Sequence, residues 1–201
     1  MVTLIPERVS NIHANIWRGN FPLTKGDLDP IVDFPQLESL LNVTPDQDLI
    51  EICLTDNTGE VEYLELLELV YGAKFTRSAP PFSDPTWDPR HCFQKADTNR
   101  WVIWWPIEGG TTPDVTGPGV GYNFRGLIAY LTRFIAETIN ETKVYVHCLN
   151  GTDRTGAVAA AIAFEHKGMS AKQAIEFASS TPAGTMSEPY LQLVRHYCAT
   201  P

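Results

Sequence analysis

The residues best suited to chemistry lie within ten consecutive positions, His147–Gly156 (HCLNGTDRTG). Cys148 follows an apolar run typical of a strand, and Arg154 comes six residues later. The turn-forming residues Asn150 and Gly151 lie between them, and an apolar run typical of a buried helix follows. A strand–turn–helix junction points several backbone N–H groups at one spot, with the positive end of the helix dipole behind them. The segment therefore predicts a binding loop for a tetrahedral oxyanion.

The side chains of this segment suit nucleophilic attack on a bound phosphoryl group. Arg154 can fold back over the loop and bind the anion with two parallel hydrogen bonds. The same positive potential would favour the thiolate of Cys148, which is the nucleophilic form. Thr155 could donate a hydrogen bond to the sulfur when it leaves, and His147 would orient the loop from behind. The residues predicted to bind phosphate are Leu149, Asn150, Gly151, Thr152, Asp153, Arg154 and Thr155.

The spacing Cys-x5-Arg-Thr, preceded by His147, resembles the signature of the cysteine-based phosphatases, which include protein tyrosine and dual-specificity phosphatases. The resemblance implies hydrolysis of a phosphomonoester through a cysteinyl-phosphate on Cys148. It also implies a tyrosine-phosphatase-like α/β/α domain. No metal or other cofactor is expected, because backbone amides and Arg154 neutralise the charge of the phosphoryl group.

The family also uses an aspartic acid on an upstream loop to protonate the leaving oxygen. Asp114 lies 34 residues before Cys148 in a Thr-Pro-Asp-Val-Thr-Gly-Pro segment that resembles the Trp-Pro-Asp loop of tyrosine phosphatases, with Thr112 in place of the tryptophan. An acid on a glycine-flanked loop suits general acid chemistry, because it can approach when substrate is bound. Asp153 and Glu108 are alternative acids, and a plain turn residue is the competing interpretation of Asp114.

The other cysteines have different interpretations. Cys53 ends an apolar strand, and its setting is similar to that of the backdoor cysteine of some lipid and protein phosphatases, which forms a reversible disulfide with the nucleophile. A plain core cysteine is the alternative interpretation of Cys53. Cys92 and Cys198 are interpreted as structural. His196 and Cys198 lack a second pair of ligands, so no metal site is expected.

Alternating strands and helices must position this segment, and they predict an α/β layered domain. The predicted strands are Asn15–Gly19, Asp48–Leu54, Trp101–Pro106 and Lys143–His147. The predicted helices are Phe34–Asn42, Gly59–Gly72, Tyr122–Ile139, Thr155–Lys167, Ala171–Ser179 and Ser187–Cys198. We therefore expect a single domain over 1–201, with a central, mainly parallel sheet of four to five strands and helices on both faces. Its core would be the strand, loop and helix of 143–168.

One long connection interrupts this alternation. Prolines at positions 80, 81, 85 and 89 break any periodicity, so 73–100 is predicted to be a long irregular insert. Loops of this length in compact domains are often functional. Trp87 lies within it and is a candidate for the border of the active-site mouth.

Composition and charge limit the function further. With 201 residues, 43% of them hydrophobic, the chain can bury a large core, which excludes a disordered protein. The net charge of −9 argues against nucleic-acid binding. Residues 1–70 hold three Lys or Arg against 13 Asp or Glu, whereas 71–201 hold 12 against 11. Every proposed catalytic group lies in the nearly neutral part, so the acidic third is expected to be scaffold or a face for a basic partner.

Location and substrate follow from what the sequence lacks. No apolar run is long enough to span a membrane, and no secretory signal is recognisable, so a cytoplasmic location is expected. Delivery to the cytosol of another cell stays open.

Phosphorylated proteins are the leading substrates. Phosphoinositides come second because the loop contains no lysine, and a non-catalytic phosphate-binding module is the third hypothesis.

Overall fold

The computed structural model describes residues 8–21, 23–25, 30–32, 34–55, 68, 75–78, 92–96, 98–107, 124–137 and 142–199. These residues form nine strands: β1 (Ser10–His13), β2 (Ile16–Asn20), β3 (Leu23–Lys25), β4 (Pro30–Val32), β5 (Asp48–Cys53), β6 (Phe75–Arg77), β7 (Cys92–Lys95), β8 (Arg100–Trp104) and β9 (Thr142–Cys148). They also form five helices: α1 (Phe34–Leu41), α2 (Phe124–Glu137), α3 (Asp153–Lys167), α4 (Ala171–Ser179) and α5 (Glu188–Ala199).

Seven of the strands form one sheet in the order β1-β2-β9-β5-β8-β7-β6, while β3 and β4 pair separately. The four central strands, β2, β9, β5 and β8, run parallel to one another. Parallel strands are covered on both faces and are therefore mostly apolar, and every residue of β5 from Leu49 to Cys53 is buried, including the charged Glu51. The predicted mainly parallel central sheet is confirmed.

The sheet has more strands than the four to five predicted. β1, β7 and β6 add antiparallel edges to the parallel centre. Two of these strands lie inside 73–100, so that segment is irregular only in part. β6 and β7 have three and four residues, which is too short to give a readable alternation between the prolines.

Helices cover both faces of the sheet, as a three-layer domain requires. On one face, α1 places Leu37 and Leu41 against a cluster that includes Phe93, Val102 and Tyr145. On the other face, α2, α3, α4 and α5 contribute to a larger cluster built on the other side chains of β2, β5, β8 and β9. The predicted α/β/α arrangement is confirmed.

α3 is the central helix of the larger cluster, because its residues from Thr155 to Ala163 are all buried. Small alanine side chains let α2, α4, α5 and the sheet approach it closely. The helix ends at Gly168, which has a left-handed φ of 62°. Ser170 then caps α4 through a capping box, as predicted. Its side chain accepts from the backbone N–H of Gln173, and the side chain of Gln173 accepts from the backbone N–H of Ser170.

Most predicted elements have counterparts within two residues at each end. The four predicted strands correspond to β2, β5, β8 and β9, and five of the six predicted helices correspond to α1 to α5. The predicted helix Gly59–Gly72 lies outside the described residues apart from Glu68, and Trp87 also lies outside them. Among the helices that the structure describes, none is both long and apolar enough to cross a membrane.

Candidate active site

The seven residues from Cys148 to Arg154, here called the 148–154 loop, connect β9 to α3 at the carboxyl edge of the parallel strands. Cys148 is the last residue of β9 and is 3% exposed. α3 begins at Asp153, so Arg154 lies in its first turn. The structure thus places Cys148 and Arg154 at the two ends of one tight turn, at the edge where ligands of open α/β sheets bind.

The end of β2 supports this loop from below. The N–H of Phe21 donates to the carbonyl of Leu149 at 3.3 Å. Gly151 has a left-handed φ of 74°, and a Cβ at this position would lie 2.7 Å from the carbonyl carbon of Gly19. Both the backbone angle and the close approach require glycine here. The loop therefore rests directly on the β2 backbone.

The N-terminus of α3 has no side-chain cap. Thr152 occupies the capping position but makes no side-chain hydrogen bond to the helix. Its hydroxyl donates instead to the carbonyl of Ala183 at 2.6 Å. The first turn of an uncapped helix presents N–H groups and the positive end of the dipole, which together suit an anion.

Arg154 has a fixed orientation. Its Nε–H donates to the carbonyl of Ile107 at 2.7 Å, just after the end of β8. This bond uses one of the five N–H donors of the guanidinium group and restrains the orientation of the group. The bond also links Arg154 to the start of the chain segment that contains both Glu108 and Asp114.

A second segment, residues 180–187 between α4 and α5, adjoins the loop. Besides the bond from Thr152 to Ala183, the N–H of Ser187 donates to Oδ1 of Asp153 at 2.6 Å. Met186 packs against the first turn of α3, since a Cβ on Gly156 would lie 2.7 Å from its Cγ. The carboxylate of Asp153 is therefore part of a tether that joins the two segments.

A buried polar pair lies behind the loop, on the opposite face of the sheet from α3. Nε2 of His147 is 2.6 Å from Oε1 of Glu51, and neither side chain has any exposure. The ring of Phe21 meets the imidazole edge to face, and Tyr145 stacks on it. Burial, followed by the charge of Glu51, raises the pKa of Tyr145 well above its usual value, so Tyr145 stays neutral. The ring of His147 is thus locked in place.

Comparison with known proteins identifies this architecture. No protein-family model matches the sequence, and no curated protein matches it. Among solved structures, the PTP-2 phosphatase of Cydia pomonella matches with 15% identity, a TM-score of 0.55 and coverage of 94% of this chain and 89% of that one. The core catalytic domain of the PP-IP phosphatase SIW14 of S. cerevisiae matches with 15% identity, a TM-score of 0.51 and coverage of 98% and 88%. The human tyrosine phosphatase-like serine/threonine/tyrosine-interacting protein matches with 15% identity, a TM-score of 0.52 and coverage of 95% of both chains.

The chain has the tyrosine-phosphatase-like fold. The similarity extends over nearly the whole chain, including the first hundred residues, which carry no recognisable motif. In this fold the 148–154 loop joins the central strand β9 to the buried helix α3.

The structure brings some of the predicted site residues together and leaves others apart. All the residues predicted to bind phosphate, Leu149 to Thr155, lie in the loop or the first turn of α3. Thr155 is fully buried, and its hydroxyl has no hydrogen-bond partner in the described part of the chain, so a bond to the Cys148 sulfur stays a prediction. Asp114 and Glu108 lie outside the described residues.

The four cysteines fall into distinct settings, and none of the four forms a disulfide. Burial raises the pKa of Cys92, and burial with the charge of Glu165 raises the pKa of Cys198 to about 11, so both thiols stay protonated at neutral pH. Cys53 contacts the cluster on the α1 face, whereas Cys148 belongs to the cluster on the α3 face. A disulfide between them would require Cys148 to leave its position, and the regulatory role of Cys53 stays a prediction.

Several residues that shape the site were not found from the sequence. Glu51 and Arg18 are charged and buried within strands, and the 180–187 segment supplies backbone groups to the loop. The signal that could have revealed the first two is a lone charge in a strand between residues that are buried or half-buried. No group of three or more His, Cys, Asp or Glu side chains suited to a metal occurs in the described ranges.

The close approach of Gly151 to β2 leads to a prediction. Gly151→Ala combines a strained left-handed backbone with a clash against Gly19, so we expect it to lower the free energy of unfolding by at least about 2 kcal/mol and to abolish phosphate binding measured by calorimetry. Gly168→Ala is the matched control, because its φ is also positive (62°) but no atom lies within 4 Å of the new Cβ. It should cost about 1 kcal/mol and leave phosphate binding intact. Equal effects of the two substitutions would contradict the role of the contact.

Proposed function

We propose that the protein is a cysteine-dependent phosphatase that hydrolyses phosphomonoesters of proteins, in a single domain spanning 1–201. The observation that carries this proposal is the pairing of Cys148 and Arg154 at the ends of a tight loop before an uncapped helix. The tyrosine-phosphatase-like fold supports the same activity. Arg154 and the loop amides would hold the equatorial oxygens of the phosphoryl group while Cys148 faces phosphorus.

The reaction would proceed in two displacements. The Cys148 thiolate attacks phosphorus, so that a sulfur–phosphorus bond forms and the bond to the leaving oxygen breaks while an acid gives that oxygen a proton. A water then attacks the cysteinyl-phosphate and transfers its proton to the resulting carboxylate. Phosphate leaves, and the sulfur departs as a thiolate that Thr155 can stabilise with its hydroxyl.

The locked histidine behind the loop supports this scheme. His147 directly precedes Cys148, and the bond to Glu51 fixes its ring inside the sheet. A residue held in this way positions the backbone at Cys148 without taking part in proton transfer. We therefore assign a positioning role to His147 and to Glu51.

Substitution of the nucleophile tests the activity. Cys148→Ser should lower the turnover of a small aryl phosphate by at least about a thousandfold, because a serine hydroxyl is not ionised at neutral pH. Cys198→Ser is the matched control and should retain full turnover. Vanadate should inhibit the turnover of the wild type. Turnover retained in Cys148→Ser would contradict the proposal. Absent turnover in the wild type with retained phosphopeptide binding would indicate a non-catalytic module.

We propose Asp114 as the general acid, since the carboxylate of Asp153 already accepts a hydrogen bond from the backbone of Ser187. Asp114→Asn should remove the basic limb of the pH–rate profile and lower kcat on an alkyl phosphate by about a hundredfold. Asp153→Asn is the matched control, because its amide oxygen can still accept from Ser187, and its profile should be that of the wild type. Loss of the limb in Asp153→Asn would move the role to Asp153. Unchanged profiles in both would move it to Glu108.

A second candidate substrate is a phosphorylated inositol, because SIW14, a PP-IP phosphatase, has a similar fold. The loop argues against it, since Leu149, the residue after the nucleophile, is apolar and 39% exposed, and no lysine lies between Cys148 and Arg154. In a panel of phosphopeptides, phosphoinositides and PP-IP under one set of conditions, we expect the highest kcat/KM for phosphopeptides. A higher kcat/KM for either inositol class would assign that class instead.

A further inference from the structure

Arg18 is a buried cation whose hydrogen bonds go to neutral groups. It lies on β2 with 2% exposure. Its Nε donates to the hydroxyl of Ser10 at 3.3 Å, and its Nη2 donates to the carbonyl of Ala178 at 2.6 Å and to the hydroxyl of Thr181. Its Nη1 is buried and has no hydrogen-bond partner among the described residues.

The charge of Arg18 has no carboxylate to balance it. Among the described residues, no Asp or Glu forms an ion pair with its guanidinium group. By contrast, the buried side chains of Arg100 and His147 each pair with a glutamate. Burial lowers the pKa of Arg18 to about 10, and the charge of Cys148 acts in the opposite direction. A buried charge without a counter-ion is costly, so its surroundings should supply an anion.

The fold places Arg18 beneath the 148–154 loop. On β2 it stands in register with Val146, two residues before Cys148 on the adjacent β9. Its Nη1 lies 3.9 Å from the position that a Cβ on Gly156 would occupy, in the first turn of α3. The unpartnered nitrogen is thus enclosed between β2, α3 and the 180–187 segment, on the face of the sheet to which Cys148 belongs.

We propose that Arg18 is a positioning residue for the nucleophile: its buried guanidinium is the counter-charge that favours the thiolate of Cys148. The proposal rests on the proposed function, in which that thiolate attacks phosphorus. The guanidinium group and Cys148 lie on the same face of adjacent strands that are in register, so a positive charge at Arg18 attracts a thiolate at Cys148.

Other charged groups also lie near Cys148, and their positions differ from that of Arg18. Arg154 and Asp153 lie in the first turn of α3 with opposite charges, and Arg8 donates to the carbonyl of Asn150 from the exposed side of the loop. The His147–Glu51 pair lies on the opposite face of the sheet. Arg154 is also the residue that would bind the phosphoryl group. Arg18 is only 2% exposed and would not contact substrate, so its charge would act on the sulfur before and after substrate binding.

Alkylation of Cys148 by iodoacetamide tests the proposal without any substrate. The rate at Cys148 is measured by peptide mass spectrometry across a range of pH in the wild type, Arg18→Met, Arg18→Lys and the matched control Arg133→Met. Arg133 suits this purpose because it lies on α2 and forms an ion pair with Glu137 there. Cys198 is the internal reference, since its raised pKa keeps it slow at neutral pH.

We expect Arg18→Met to move the midpoint of the alkylation profile upward by about one pH unit, which lowers the rate at Cys148 below the midpoint about tenfold. Arg18→Lys keeps a positive charge and should recover most of that rate, and Arg133→Met should match the wild type. Circular dichroism checks folding. If Arg18→Met does not fold, Arg18→Gln repeats the neutral substitution with an amide that can still donate to Thr181.

Two results would overturn the proposal. A folded neutral variant with the wild-type profile would show that Arg18 has no electrostatic effect on Cys148. An equal loss in the neutral variants and in Arg18→Lys would assign a purely structural role. Failure of the proposed function is distinguishable, because it would appear as unchanged hydrolysis in Cys148→Ser, a measurement that does not involve Arg18.

Discussion

The arrangement of the site depends on the contact between the 148–154 loop and the end of β2. Gly151 lies so close to the backbone of Gly19 and Asn20 that no side chain fits between them. The bond from Phe21 to Leu149 holds the same two segments together. Because β2 is parallel to β9 and in register with it up to Cys148, the loop turns over the backbone of β2 at the point where both strands end. A nest of backbone amides needs such support, since each amide must keep its direction when no anion is present.

Positive charge is distributed more widely around this loop than the sequence indicated. The acidic first third is expected to be scaffold or a face for a basic partner, yet two of its three cations lie at the loop. Arg18 is buried beneath it, and Nη1 of Arg8 donates to the carbonyl of Asn150 at 3.0 Å from the exposed side. Together with Arg154 and the dipole of α3, these groups place several positive charges around the loop in a protein whose net charge is −9.

The sequence was informative where the interactions are local and much less so where they are not. The loop that joins Cys148 to Arg154, the cap of α4 at Ser170 and the burial of α3 all involve residues close in the chain, and each was predicted. The bonds from Arg154 to Ile107 and from Ser187 to Asp153 join residues 47 and 34 positions apart, so they depend on the fold and could not be inferred from spacing. Glu51 and Arg18 were visible as charges within strands, but their partners were not.

The long-range bonds also narrow the assignment of the acid. The carboxylate of Asp153 accepts a hydrogen bond from the backbone N–H of Ser187, so it is already engaged as a tether between the loop and the 180–187 segment. The two other candidates lie on the chain segment that begins just after Ile107, whose carbonyl accepts from Arg154. The guanidinium group that would bind the phosphoryl oxygens therefore also anchors the start of that segment.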